Sequence, residues 1–325
     1  MNSSESIQQE SSIEHLPVSI FASVMGLGGL SIATAKLETV YGLAPLASIT
    51  LLAIAAIAWV VIALSYATKV IRYPEALLAE LNHPVRLSFF PTISIGLLLI
   101  SIGLVEILPL AAQMLWWIGA IGQLGFTLLI LNRWFHHEHF RTEHNSPAWF
   151  IPIVGNILVP VAGVEFGYTE ISYFFFSIGI VFWLPLLGIT LIRSFFFSGI
   201  PERLKPTLFI LIAPPAVAFI SWKKLHGGNL DDFGVITYFF ALFITLMLVT
   251  QAKQFLNLRF ALPFWAYTFP LAAVTIASFS FYESASHLHY LIIATALFVV
   301  TFLVVFYVAV LTVVAAVRGK ICLPE

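Results

Sequence analysis

The sequence predicts an all-α membrane protein whose ten transmembrane helices form five helical hairpins in a pseudo-fivefold ring. Three observations predict it. Of 325 residues, 60% are hydrophobic and only 10% are charged, against about 25% charged in a soluble domain. Uncharged apolar runs recur at the length of roughly 20 residues that spans a bilayer as helix. Glycine and proline gather in alternate runs. The runs are continuously apolar rather than alternating, so of the two structures that satisfy backbone hydrogen bonds in lipid, helices are expected rather than a closed barrel. A net charge of −1 says nothing about a nucleic-acid partner, and no basic stretch suggests one.

The chain opens with residues 1–16, MNSSESIQQESSIEHL, which carry Glu5, Glu10 and Glu14 and neither Lys nor Arg. A secretory signal needs a basic start before its apolar core, so this stretch is read as a retained polar cytoplasmic tail. Residues 17–318 are read as one membrane domain and 319–325 as a cytoplasmic C-terminal tail. The single cysteine, Cys322, has no internal disulfide partner.

The first run, 18–35, holds Gly26, Gly28 and Gly29, and the second, 43–67, has Pro45 at its start, where proline is tolerated. The third, 88–105, contains Pro91 and Gly96; the fourth, 109–132, begins at Pro109. The fifth, 148–164, contains Pro152, Gly155 and Pro160, and the sixth, 171–192, contains Pro185. The seventh, 207–222, holds Pro214 and Pro215, and the eighth, 233–252, has no proline. The ninth, 261–281, holds Pro270; the tenth, 289–317, has no proline and is long enough to extend past the lipid. Every Lys, Arg, Asp and Glu lies outside these runs.

Proline inside a helix removes a backbone bond and clashes with the preceding turn. In lipid the freed carbonyl must face protein or a water-filled cavity. Breaker-rich odd helices are therefore expected as an inner ring and the smoother even helices as an outer one, at a repeat of roughly 55–65 residues. Against this stands the general frequency of glycine and proline in membrane helices. Twelve cations fall in the even-to-odd loops and the C-terminal tail, while only Lys36, Lys223 and Lys224 fall on the other side. That bias predicts cytoplasmic N- and C-termini.

The ninth run contains PFWAYTFPLA, from Pro263 to Ala272. His83-Pro84-Val85-Arg86 leads into Ser88-Phe89, and Trp117-Ile118-Gly119 and Ile121-Gly122-Gln123 lie in the fourth run. Pro147-Ala148-Trp149-Phe150 and Gly155-Asn156 belong to the fifth, and Ala213-Pro214-Pro215 to the seventh. In order and spacing these segments resemble the TehA and slow-type (SLAC-type) anion channel family, also called the tellurite-resistance/dicarboxylate transporter family, from about residue 16 to the end. The resemblance implies five hairpins around a central pore, a homotrimer with one pore per subunit, and a phenylalanine plug at the position of Phe269. It implies small inorganic or organic anions and the lipid bilayer as partners, with no cofactor. The long regulatory tails of plant members are missing, which puts kinase control in doubt and points to a bacterial member of the cytoplasmic (inner) membrane.

An aromatic ring in a narrow bore excludes hydrated ions by steric closure and dewetting, which is the role expected of Phe269. Phe89 and Phe90 are candidates for a second constriction, or for ordinary packing. Gly26, Gly29, Pro91, Pro160, Pro214, Pro215 and Pro270 are the candidate pore-lining kinks. Asn156, Gln123, Thr127, Ser94, Thr275 and Ser278 are available to line a pore or to hydrogen-bond between helices. His136-His137-Glu138-His139, followed by Glu143 and His144, falls short of HExxH because Arg141 stands at the second histidine's place; it is read as a solvated loop rather than a metal site. Asp231 and Asp232 read as the cap of the eighth helix. Glu106, Glu165, Glu170 and Glu283 read as interfacial charges, with tuning of ion entry as the alternative.

The expected function is a gated anion channel or facilitator. The alternative is a proton-coupled transporter or exporter of C4-dicarboxylate, sulfite or tellurite-related oxyanions. Coupling generally uses an ionisable group within the membrane; the runs contain no charged residue, and His289 sits at a helix edge. No catalytic dyad or ligand set lies in the runs, so no enzyme is expected.

Overall fold

The computed structural model of the protein describes residues 13–136, 145–196 and 200–322. Among these residues every regular element is helical. Ten helices follow the predicted runs, labelled in chain order: α1 (Val18–Tyr41), α2 (Leu46–Arg72), α3 (Arg86–Leu104), α4 (Pro109–His136), α5 (Pro147–Gly163), α6 (Thr169–Phe196), α7 (Glu202–Leu225), α8 (Asp232–Thr250), α9 (Leu262–Ala285) and α10 (Leu288–Val317). Nine of them are long and apolar enough to cross a membrane; α5 is the shorter exception. A short helix, Pro74–Asn82, lies between α2 and α3.

The helices fall into two classes. The apolar windows of α1, α3, α7 and α9 are 72–89% buried, and α5 is buried without a break from 145 to 160. Those of α2, α4, α6, α8 and α10 are only 17–39% buried. Each buried helix packs on the peripheral helix that follows it in sequence. The buried helices also touch one another in the order α1, α3, α5, α7, α9, and α9 returns to α1.

Each buried helix begins as a tight 3-10 segment and then relaxes into α-helix. The 3-10 segments are Val18–Phe21, Arg86–Phe89, Pro147–Phe150, Glu202–Ile212 and Leu262–Tyr267. The prolines expected to kink these helices sit mostly at those changes. Pro91 caps the α-segment Thr92–Leu104, Pro214 and Pro215 are in the first turn of Ala213–Leu225, and Pro270 is in the first turn of Thr268–Ala285. First-turn N–H groups have no partner within the helix, so proline costs little there. Pro160 likewise opens the last turn of α5, Pro160–Gly163. Pro91, Pro214, Pro215 and Pro270 mark a change of helix type, whereas Pro160 follows a break at Val159 between two α-helical segments. Among the described helices Pro185 of α6 is the clearest α-helix-interior proline.

The helices also outrun the uncharged windows, which corrects one inference from sequence. Lys36 and Glu38 lie inside α1 and Lys69 inside α2. Glu38 is 4% exposed, and its Oε1 accepts the N–H groups of Ala47 (2.9 Å) and Ser48 (3.2 Å), capping α2 across the turn. Lys69 and Glu80 are each 2% exposed and pair at 2.9 Å. Glu80 also accepts the Tyr66 hydroxyl (2.7 Å) and the Val18 N–H (3.1 Å), while Lys69 donates to the Leu16 carbonyl (2.7 Å). A charge-free window ends at the first ionised side chain, whereas the helix continues wherever protein partners replace water.

The Lys69–Glu80 pair therefore ties the start of α1 to the linker after α2. Glu80→Ala leaves a buried ammonium and the Val18 N–H unmatched, and should destabilise the fold by about 3–5 kcal/mol. The Lys69→Met/Glu80→Leu double variant, which removes both charges, should recover most of that loss. Thermal melts of the detergent-solubilised protein check both, and equal losses in the two variants would remove the pair from this role.

Candidate functional site

The helix-type changes of the five buried helices converge on a common space. A cavity of about 30 Å³ is walled by Ala22 and Met25 of α1, Phe89, Thr92 and Ile95 of α3, and Ile151 and Val154 of α5. Ile210 and Ala213 of α7 complete it with Trp265, Ala266, Phe269 and Pro270 of α9. Every buried helix contributes and no peripheral helix does. The volume suits about one water, which needs at least 10–15 Å³ on this measure. Thr92 supplies the wall's one side-chain hydroxyl, and it donates to the Phe89 carbonyl at 2.5 Å. The remaining wall is aliphatic, aromatic and backbone.

Phe269 lies in this wall, 5% exposed, at the start of the α-helical part of α9. Its place depends on the close approach of α1. A Cβ on Gly29 would lie 2.9 Å from Ala272 Cβ and 3.4 Å from Phe269 Cδ2, and one on Gly26 would collide with Thr268 and Trp265. Those two glycines thus serve the α1–α9 contact. Trp265, in the same wall, is anchored by its Nε1 donating to Thr312 Oγ1 of α10 at 2.9 Å.

The two candidate phenylalanines of α3 separate. Phe89 lines the cavity. Phe90 turns away and packs against Tyr66 of α2 and Phe126 of α4, with ring centroids 6.5 and 6.1 Å apart. Of the seven glycines and prolines singled out as lining residues, Pro270 alone borders the cavity; Gly26 and Gly29 set helix spacing, and Pro91, Pro160, Pro214 and Pro215 are buried at the starts of helical segments.

The buried polar candidates bond between helices. Gln123 Nε2 donates to the Pro152 carbonyl (2.8 Å) and Ser94 Oγ donates to Gln123 Oε1 (2.8 Å). Asn156 Nδ2 donates to the same carbonyl (2.7 Å) and lies 2.8 Å from Thr127 Oγ1. Thr275 meets Thr301 of α10 at 2.9 Å, and the Tyr238 hydroxyl of α8 meets Ser278 at 3.3 Å. Asp231 caps α8 as expected, accepting the Gly234 N–H at 2.9 Å. That bond, with the Trp222 indole N–H, holds its carboxyl below the usual carboxylate range. Glu165 pairs with Lys224 and Glu283 with Lys36, while Glu106 and Glu170 are exposed. His136 ends α4 with Nδ1 on the Asn132 carbonyl (2.9 Å); His137, Glu138, His139, Glu143 and His144 lie outside the described residues.

Sequence reasoning missed Met25, Ile95, Ile151, Val154 and Ile210 as wall residues. They are ordinary apolar side chains, and only the register imposed by the 3-10 segments sets them apart. The tightness of the α1–α9 contact is open to test. Gly29→Val should cost about 1–3 kcal/mol by overpacking, seen as a lowered melting temperature, whereas Gly42→Val, at an exposed turn with a left-handed backbone, loses stability through backbone strain and leaves the cavity wall in place.

Comparison with known proteins adds the family. A family profile described as voltage-dependent anion channel matches residues 15–313. The chain is 28% identical over 269 residues to a tellurite resistance protein TehA homolog of Haemophilus influenzae, covering 82% of each. It is 30% identical over 227 residues to the S-type anion channel SLAH2 of Arabidopsis thaliana, covering 69% of this chain but 44% of the plant protein. An uncharacterized transporter of Methanocaldococcus jannaschii is 28% identical over 292 residues, covering 83% and 85% of the two chains. The chain belongs to the voltage-dependent anion channel family.

Proposed function

We propose that this member of the voltage-dependent anion channel family is a gated channel or facilitator for small anions, closed by the Phe269 ring. The observation that carries the reading is the cavity to which all five buried helices contribute and in which Phe269 stands. In this reading ten helices cross the membrane as five hairpins in a pseudo-fivefold ring, and the space between the odd helices is the conduit. The contact order of the buried helices and their helix-type changes support it. Phe89 forms a second wall of the same constriction. The exposed apolar faces of the even helices meet lipid and neighbouring copies in a homotrimer of the bacterial cytoplasmic membrane, with both termini on the cytoplasmic side.

The closed state follows from solvation. An anion stripped of water and placed among Met25, Ile95, Val154 and Phe269 loses tens of kcal/mol of hydration in the idealised limit, and the wall offers it one hydroxyl that is already bonded. Moving the Phe269 ring aside widens the space enough for water to enter with the ion. No chemistry is required of the wall, in keeping with a channel and not an enzyme. No ionisable side chain stands in it, which favours passive flow over proton coupling.

Flux of chloride and nitrate from liposomes tests the gate. Wild-type protein should leak slowly, and Phe269→Ala should raise the flux by about tenfold or more, since a hydrophobic constriction gates by dewetting; unchanged flux in a folded Phe269→Ala protein rejects the assignment. A pH gradient imposed without an anion gradient separates the two transport modes. Passive conduction gives no net uphill anion movement, and accumulation against the anion's electrochemical gradient would establish the coupled alternative.

A further inference from the structure

The conduit reading leaves unexplained a set of charges at the other end of the buried helices. We infer that Lys36, Lys223 and Glu283 form an anion-recruiting site at the C-terminal mouth of the conduit, where two ammonium groups share one carboxylate and present a net positive charge to a small inorganic anion. The inference rests on the channel reading above.

Register places Lys36, Ser280 and Lys224 over the cavity wall. Lys36 lies eleven residues beyond Met25 in α1, and Ser280 lies eleven beyond Phe269 in α9. Lys224 lies eleven beyond Ala213 in α7. The α-helix is unbroken over each interval. Eleven residues are about three turns and about 16 Å of rise, so each residue returns to the stripe of its helix that lines the cavity. Lys223 is one position earlier than Lys224 and reaches α9: its Nζ donates to the Ser280 carbonyl at 2.6 Å and meets the Ser280 hydroxyl at 3.1 Å.

The charges are shared unequally. Lys36 Nζ takes both oxygens of Glu283, at 2.7 and 3.0 Å. Lys223 Nζ is 4.0 Å from the nearer one, with a side chain 12% exposed against 34% for Lys36 and 32% for Glu283. Lys224 has Glu165 to itself. Lys223 is thus the more deeply set cation, held by neutral oxygens and only half compensated. An anion arriving at the mouth meets an ammonium whose counter-charge is engaged elsewhere, and the Ser280 hydroxyl stands beside it as a donor. Fixed charge focused in a low-dielectric cleft raises the local concentration of counter-ions, an effect that salt screens away.

Two measurements test the site. In liposomes carrying Phe269→Ala protein, adding Lys223→Gln should raise the half-saturating chloride concentration about three- to tenfold at low ionic strength. The change should shrink at high ionic strength and revert with Lys223→Arg. Glu283→Gln should shift it the opposite way. A folded Lys223→Gln protein with unchanged half-saturation, or one changed equally at both ionic strengths, overturns the site while the gate stands. If Phe269→Ala protein passes no chloride, the gate fails instead, and line broadening of the chloride NMR signal by wild-type protein in micelles then decides. Broadening that falls in Lys223→Gln and is regained in Lys223→Arg supports the site, and broadening that does not respond removes it.

Discussion

A buried carbonyl or N–H without a partner is the constraint around which this molecule is arranged. Near the starts of the buried helices, backbone carbonyls also draw in the protons of buried side chains, which have no water to turn to. The donors lie three or four residues on. Ser23 donates to the Ile20 carbonyl in α1, Thr92 and Ser94 to those of Phe89 and Pro91 in α3, and Thr268 to that of Trp265 in α9. In α5 the Pro152 carbonyl is served by its own Asn156 and by Gln123 of α4. Because these donors are spent on the backbone, none of them, Thr92 in the cavity wall included, is free for the central space. The apolar character of the cavity is thus a consequence of satisfying the helices that surround it.

The same constraint explains what could be read from sequence. The apolar runs and the alternation of breaker-rich and smooth runs were both legible, because burial by protein and exposure to lipid make different demands on glycine and proline. The family was legible in PFWAYTFPLA and the segments around it. The role of each proline was not. Proline in an apolar run reads as a kink, yet Pro91, Pro214 and Pro270 stand where a helix starts afresh, and no residue type announces a 3-10 segment. Nor was the difference between Phe89 and Phe90 visible. Adjacent residues point about 100° apart on a helix, and which of them meets Tyr66 depends on a register that the sequence does not state.

Charges hid in a different way. Glu38, Lys69 and Glu80 fall outside every uncharged run, yet each is nearly inaccessible. Their partners come from other segments: the N–H groups of Ala47 and Ser48, the Leu16 carbonyl, the Tyr66 hydroxyl. Long-range pairing of this kind leaves no periodic trace. The sequence reading of Glu283 as an interfacial carboxylate carried no sign that two lysines from α1 and α7 converge on it.

These features bear on why a constriction would lie at Phe269 rather than elsewhere in a chain with thirty phenylalanines. An aromatic ring can serve as a movable plug only if its backbone is fixed and its side chain is not wedged between helices. Gly29 removes the Cβ that would press on the ring, while the Gly26 contact with Thr268 and Trp265 locks the backbone immediately before it. Trp265 is tethered to α10, so the wall beside the ring holds still. Phe90, by contrast, is packed among Tyr66 and Phe126 and has nowhere to go. In the proposed channel the missing Cβ of Gly29 leaves the Phe269 ring room beside α1 while the backbone that carries it is fixed, which is the mechanical property that a gate in an otherwise tightly packed helical core requires.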